Sequence, residues 1–235
     1  MLSVDLWLWS LEEADEHLDH FGKDLSVDEL RRADRFVKSS DRSMYIVGRA
    51  GLRRILADYI GLDAKAVEFE YGPHGKPFLQ NGPGFNLSHS GGRAALAVCS
   101  HAHPGLDIEL VRPIEDAVAR HHFSPVEYAE LSCLQPSDWL QGFFRCWTRK
   151  EAVLKSLGHG LYMPLDSFDV TLSPDVPPRL TRIEDDDPLR WTLTHFEPAP
   201  GWVGALALRD TGGPVELRWR SGDPIVRAYS RRSRK

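Results

Sequence analysis

Two acids stand two residues apart in the run GLDIEL, residues 105–110. In a strand, side chains at i and i+2 share a face. Asp107 and Glu109 therefore sit side by side, and Leu106, Ile108 and Leu110 bury the opposite face. The alternation predicts a half-buried strand with both acids toward solvent. Like charges held together repel unless something positive lies between them. A hard divalent cation carrying a phosphate is one such thing. An ordinary exposed strand face is the other reading.

The rest of the chain alternates strand and helix patterns. Val4, Leu6 and Leu8 alternate with Asp5, Trp7 and Trp9, which predicts an opening strand. Ser26 with Glu29 forms a capping-box pattern and starts a helix running to about Phe36. Asp41 is read as the cap of a longer helix that Gly61 ends. Arg42, Arg49 and Arg53 share one face of that helix, which solvent alone would explain. Val67, Phe69 and Tyr71 predict a second strand, followed by the turn Gly72-Pro73-His74-Gly75. Residues 85–87 read as extended, and Ser88-His89-Ser90 with Gly91-Gly92 as a tight turn. Residues 94–100 are short and apolar enough for a buried strand.

The pattern breaks near Arg112-Pro113, which places a junction there. Beyond it, Ser124 with Glu127 makes a second capping box with Pro125 at the helix start. A long helix is predicted over residues 139–157, stopped by Gly158 and Gly160. Residues 168–172, 191–195 and 203–208 read as strands, and 173–188 as a solvated loop. Three segments follow: 1–112, 113–224 and a mobile tail, 225–235.

Composition narrows the class. The 235 residues are 42% hydrophobic and 27% charged, ordinary for a globular protein. A net charge of −5 argues against a general nucleic-acid binder. The three cysteines show no C-x-x-C spacing, so neither a disulfide framework nor structural zinc is expected, and a reducing cytoplasm is the simplest setting. No stretch approaches the roughly 20 apolar residues of a membrane span, and the start does not read as a signal peptide. His101, His103, His121 and His122 lack partners at zinc spacing and are read as surface histidines.

The segment WTRKEAVLK, residues 147–155, adds Glu151 and, one turn later, Lys155. Two dull readings compete here: Thr148 to Glu151 fits a capping box, and Glu151 with Lys155 fits an i,i+4 pair. His89 also fits a core histidine. Taken together, the acids of one strand, the acid and lysine of a helix and the Ser-His segment point to Mg²⁺-dependent chemistry on a phosphate.

The succession GKP, FNLSHS, GLDIE, WTRKEAVLK and GHGLYMPLDSF closely resembles the Sfp-type 4′-phosphopantetheinyl transferases, over roughly residues 31–170. The resemblance implies an α+β fold of two similar lobes, a pseudo-dimer with the active site in the cleft between them. It implies coenzyme A as co-substrate, Mg²⁺ as cofactor and an apo acyl or peptidyl carrier protein as partner. The activity implied is that of a holo-[acyl-carrier-protein] synthase type enzyme, serving peptide, polyketide or lipid synthesis. Carried over by position, Asp107, Glu109 and Glu151 match the metal-binding acids. Gly75, Lys76, Pro77, Asn86, Ser88, His89 and Lys155 match the coenzyme A site, and Arg32 and Arg49 lie where relatives bind the 3′-phosphate. Glu151 is the expected base toward the carrier serine, and Lys155 the stabiliser of phosphate charge. A Mg²⁺-dependent phosphodiester hydrolase and a catalytically silent binding protein are the alternatives. The chain is expected to act as a monomer, without nucleic acid or membrane. Phe123 and Arg120 are read as an apolar anchor and a rim charge for the carrier, or else Phe123 as core.

Overall fold

The opening alternation forms a nine-residue strand, β1 (Leu2–Ser10), in a computed structural model that describes residues 1–12, 15–158 and 163–220. The tail expected at 225–235 and residues 159–162 of the GHGLYMPLDSF segment lie outside the described residues. Both faces of β1 are buried. Val4 and Leu6 pack into one core and Trp7 and Trp9 into another, because its sheet is covered on both sides.

After β1 come α1 (Asp15–Gly22), α2 (Val27–Ala33) and α3 (Ser39–Ile60), then the short strands β2 (Glu70–Tyr71) and β3 (Pro77–Phe78). A hairpin of β4 (Gly84–Ser90) and β5 (Arg93–Cys99) leads to β6 (Gly105–Leu110). The second half contains α4 (Asp116–His122), α5 (Pro125–Ser132), α6 (Pro136–Leu157), β7 (Phe168–Val170), β8 (Leu180–Ile183), β9 (Trp191–Phe196), β10 (Trp202–Arg209) and β11 (Val215–Trp219). None of the described helices is long and apolar enough to cross a membrane.

Two sheets carry the fold, ordered β11-β1-β5-β4 and β6-β10-β9. The same connectivity occurs twice. A strand (β1 or β6) is followed by a 22-residue helix (α3 or α6), then by an antiparallel hairpin whose last strand pairs antiparallel with the first. Each long helix ends on a left-handed glycine, Gly61 or Gly158. One core lies between α3 and the first sheet, one between α6 and the second, and the third between the sheets themselves.

A buried ionic staple repeats as well. Both predicted capping boxes form, and each capping glutamate also holds a long helix. Glu29 accepts from Arg53 (2.6 Å) and Arg49, and Glu127 accepts from Lys150 (2.6 Å). Arg53 and Lys150 occupy equivalent positions, counted from Ser39 and Pro136. Arg53 is therefore an interior group, not part of a solvated face. Lys150 is fully buried, and its ammonium also donates to the Phe168 carbonyl at 2.5 Å.

Several local expectations change. Asp41 does not cap α3; the helix begins earlier, after Lys38, and Asp41 lies in its first turn. Val67 is buried but only Glu70 and Tyr71 form strand, because β2 and β3 make an isolated two-stranded hairpin. Ser88-His89-Ser90 continues β4, and the turn is Gly91-Gly92 alone, both at positive φ. The 173–188 segment contains β8, paired with β7. Thr148 lies inside α6, bonded to the Phe144 carbonyl, so it caps nothing. Phe123 is core: it packs on Phe143 and Trp147 in an aromatic cluster, which removes it as a docking anchor.

Two stability outcomes follow from this packing. Phe123→Ala should lower stability by about 3–5 kcal/mol, the usual cost of emptying an aromatic core position, read by urea unfolding. Glu127→Ala should cost about as much, because it strands the buried Lys150 charge. The double replacement Glu127→Gln with Lys150→Met should recover most of that loss; no recovery would mean that the charge pair is not what the site depends on.

Candidate active site

The two sheets meet edge to edge where β4 runs beside β6. Backbone N–H groups of β6 that do not face β10 need acceptors. Three β4 side chains, two residues apart, supply them. Asn86 Oδ1 accepts from Leu106 N (2.8 Å), Ser88 Oγ from Ile108 N (3.2 Å) and Ser90 Oγ from Leu110 N (3.1 Å). The two serines also donate to the acids between those residues: Ser88 to Asp107 Oδ1 (2.9 Å) and Ser90 to Glu109 Oε2 (2.6 Å). The ladder thus sets the register of β6 and the placement of both carboxylates.

Helix α6 closes the site. At Gly105 a Cβ would stand 1.9 Å from the Ala152 carbonyl oxygen, so only glycine permits this approach of β6 to α6. Lys155, in the last turn, donates to Asp107 Oδ1 at 2.5 Å and to Ser88 Oγ at 3.2 Å. Lys155 therefore pairs with Asp107 and not with Glu151, contrary to the i,i+4 expectation. Asp107 is only 3% exposed, so the solvent-facing acid inferred from alternation is in fact interior. Strand β4 of the first sheet and α6 cover it. Among the described residues its Oδ2 is buried without a partner.

The electrostatics are those of crowded acids. Burial raises the carboxyl pKa of Asp107 above its ordinary value, with Lys155 acting the other way. Glu109 is raised by burial, opposed by Ser90 and reinforced by Asp107. Glu151, half-buried on α6, is raised by burial, then by Asp107, while Lys155 opposes and Glu109 adds. His89 is exposed and so not a core histidine, and its pKa is lowered by burial, then by Lys155, which leaves it neutral near pH 7.

These acids fit a hard divalent cation. They repel one another, offer only oxygen donors and include an unpartnered buried oxygen. Among the described residues no three acidic, histidine or cysteine side chains already converge as a ligand cluster. Lys155 holds the place of positive charge beside Asp107.

The other expected residues are spread around this centre. Gly75 (φ 82°), Lys76 and Pro77 belong to the β2–β3 hairpin. Lys76 caps the C-terminal end of α6, donating to the carbonyls of Pro104 (3.2 Å), Lys155 (2.5 Å) and Ser156 (3.4 Å). Burial pushes its pKa down to about 8, and the three carbonyls favour the cation. Arg32 is exposed and lies over the Tyr45 ring. Arg49 is committed to Glu29 and stacks on Phe69. Neither arginine contacts the acids of the site. Ser90 was not among the expected site residues, although Asn86, Ser88 and Ser90 repeat with the same period as Asp107 and Glu109.

The raised acids imply an inverted pH dependence of stability. A carboxyl whose folded pKa exceeds its unfolded one binds protons more tightly in the fold. Asp107, Glu109 and Glu151 therefore cost stability at neutral pH, and that cost is relieved as pH falls through their raised values. Glu151→Gln should raise stability at pH 7 by on the order of 1 kcal/mol. A thermal melt in which Glu151→Gln is destabilised would contradict the crowding.

Comparison with known proteins bears on the same region. Residues 104–207 match the family model described as 4′-phosphopantetheinyl transferase superfamily, and residues 9–101 match that of the 4′-phosphopantetheinyl transferase N-terminal part. The chain is 36% identical over 216 residues to the 4′-phosphopantetheinyl transferase HetI of Nostoc sp., covering 89% of each. It is 30% identical over 213 residues to the 4′-phosphopantetheinyl transferase Sfp of Bacillus subtilis, covering 90% of this chain and 94% of that one. A further 4′-phosphopantetheinyl transferase of Bacillus subtilis is 35% identical over 153 residues, 64% of this chain and 68% of its own.

Proposed function

The chain belongs to the 4′-phosphopantetheinyl transferase superfamily, and from that premise we propose that it transfers the phosphopantetheine arm of coenzyme A to a serine of an apo acyl or peptidyl carrier protein. The observation that carries this reading is the electrostatic coupling of Glu151 with Asp107, Glu109 and Lys155, with Lys155 paired to Asp107, at the junction of β4, β6 and α6. The reaction forms a bond from the serine oxygen to the β-phosphorus of the pyrophosphate and breaks the bond to 3′,5′-ADP, which leaves. The serine proton passes to Glu151, directly or through water.

Lys155 stabilises charge on the transferring phosphate, exchanging its bond to Asp107 for one to phosphate oxygen. His89, as the neutral ring, donates one N–H to a phosphate. Lys76 reaches phosphate only by giving up a carbonyl acceptor, so its first role is to hold the hairpin of Gly75 and Pro77 against α6. Asn86 and Ser88 hold β6 in place beneath the phosphates. Arg32 is free to meet the 3′-phosphate, and Arg49 does so only with donors not engaged by Glu29. Asp107, Glu109 and Glu151 would hold Mg²⁺, which when bound neutralises charge on the pyrophosphate.

Two similar lobes, with the site in the cleft between them, account for the repeated strand–helix–hairpin order. We place their boundary at residues 100–104 instead of 112, because β6 pairs with β10. The strand β11 returns to the first sheet beside β1. The enzyme is proposed to act as a cytoplasmic monomer of the holo-[acyl-carrier-protein] synthase type.

Incubation with coenzyme A, Mg²⁺ and an apo carrier protein tests the reading by intact mass. The expected result is a carrier heavier by one phosphopantetheine group. Cleavage of coenzyme A without a carrier would indicate a hydrolase, and no change a silent binding protein. The rate should fall as pH drops on the acid side, because the base must be ionised. Stability should rise across the same window. A rate that does not fall on the acid side would remove Glu151 as the base.

A further inference from the structure

We propose that Ser90 is a positioning residue that fixes Glu109 for a divalent cation. The inference rests on the reading of the acids given above. Ser90 Oγ carries one proton, and that proton is committed to Glu109 Oε2 at 2.6 Å. The same oxygen accepts from Leu110 N at 3.1 Å, so the side chain cannot change rotamer without orphaning a part-buried N–H.

Ser90 is itself held. Its carbonyl accepts from Trp202 Nε1 at 3.3 Å, and Arg93 lies over the Trp202 ring. A Cβ at the neighbouring Gly91 would fall 2.8 Å from the Leu110 side chain, so the turn after Ser90 is pressed against β6. Glutamate has a long flexible side chain, and losing its rotamers on binding a metal carries an entropic cost. Bonding to Ser90 settles that cost in the folded chain. It occupies Oε2 on one side only, and the carboxylate keeps its remaining lone pairs.

The comparison with Ser88 isolates the role. Ser88 makes the same pair of bonds, to Ile108 N and Asp107, but Lys155 also donates to it. Asn86 satisfies Leu106 N with no acid to orient. A purely structural ladder therefore needs an acceptor at each rung, but not a donor toward the carboxylate. The serine at position 90 supplies both.

The test uses the full-length protein and Mn²⁺ alone as the probe, titrated by calorimetry, with Ser90→Ala and Ser90→Thr. Ser90→Ala should weaken Mn²⁺ binding about 10–100-fold, the range for loss of a hydrogen bond behind a metal ligand. Ser90→Thr, which retains the hydroxyl, should restore it. In carrier modification, the KM for Mg²⁺ should rise with little change in kcat at saturating Mg²⁺. Wild-type Mn²⁺ affinity in Ser90→Ala, even with a lowered melting temperature, would show a structural rung only and overturn the inference. So would a Ser90→Thr variant that melts like the wild type but binds no better than Ser90→Ala. A wild-type chain that takes up no Mn²⁺ would overturn the cation reading and this inference together, whereas binding by wild type and Ser90→Ala alike rejects the inference alone.

Discussion

The rest of the structure depends on a hydrogen-bond ladder that is not a backbone ladder. β4 and β6 belong to different sheets and meet along an interior seam. Each buried N–H left unpaired there would cost about 1–3 kcal/mol. Against a total stability of roughly 5–15 kcal/mol, two such losses and a part-buried third would be hard to carry. Asn86, Ser88 and Ser90 fill the three places. Because two of them also donate to Asp107 and Glu109, the device that joins the sheets also aims the acids. The seam and the site are one construction.

The repeated strand–helix–hairpin order makes the asymmetry of the site informative. In the second unit, the first strand β6 carries acids that burial and mutual repulsion leave poorly satisfied. In the first unit, the corresponding strand β1 carries Asp5, which is satisfied by Tyr59 and by Arg220 at 2.8 Å. Strand β11 covers the free edge of β1 and brings Arg220 to it. One unit thus spends its acid on cohesion, and the other retains acids whose repulsion a cation can relieve. The staples of Glu29 and Glu127 are alike in both, so the scaffold is shared where only stability is at stake.

Much of this was legible in the sequence. Both capping boxes, the terminating glycines 61 and 158 and the GLDIEL strand follow from local rules, and local rules suffice for helix ends and strand alternation. The burial of Asp107 was not legible, because alternation assigns two faces but cannot say that α6 covers the second. The fate of Phe123 depended on Phe143 and Trp147, twenty or more residues distant in sequence. Lys155 turned toward Asp107 and away from Glu151 because Gly105 brings β6 within backbone contact of α6, a tertiary fact. The period-two match of Asn86, Ser88 and Ser90 to Asp107 and Glu109 was present in the residues. It gains meaning only once β4 and β6 are neighbours.

The central claim is that this seam assembles acids and a lysine for a cation-bound phosphate. Crystals grown with coenzyme A and Mn²⁺, measured at the manganese edge, test it most directly. The account predicts an anomalous peak within ligand distance of the Asp107, Glu109 and Glu151 carboxylates. It also predicts that Lys155 Nζ has moved from Asp107 Oδ1 to phosphate oxygen. A peak away from these acids, or coenzyme A bound with the pair of Lys155 and Asp107 intact, would contradict it.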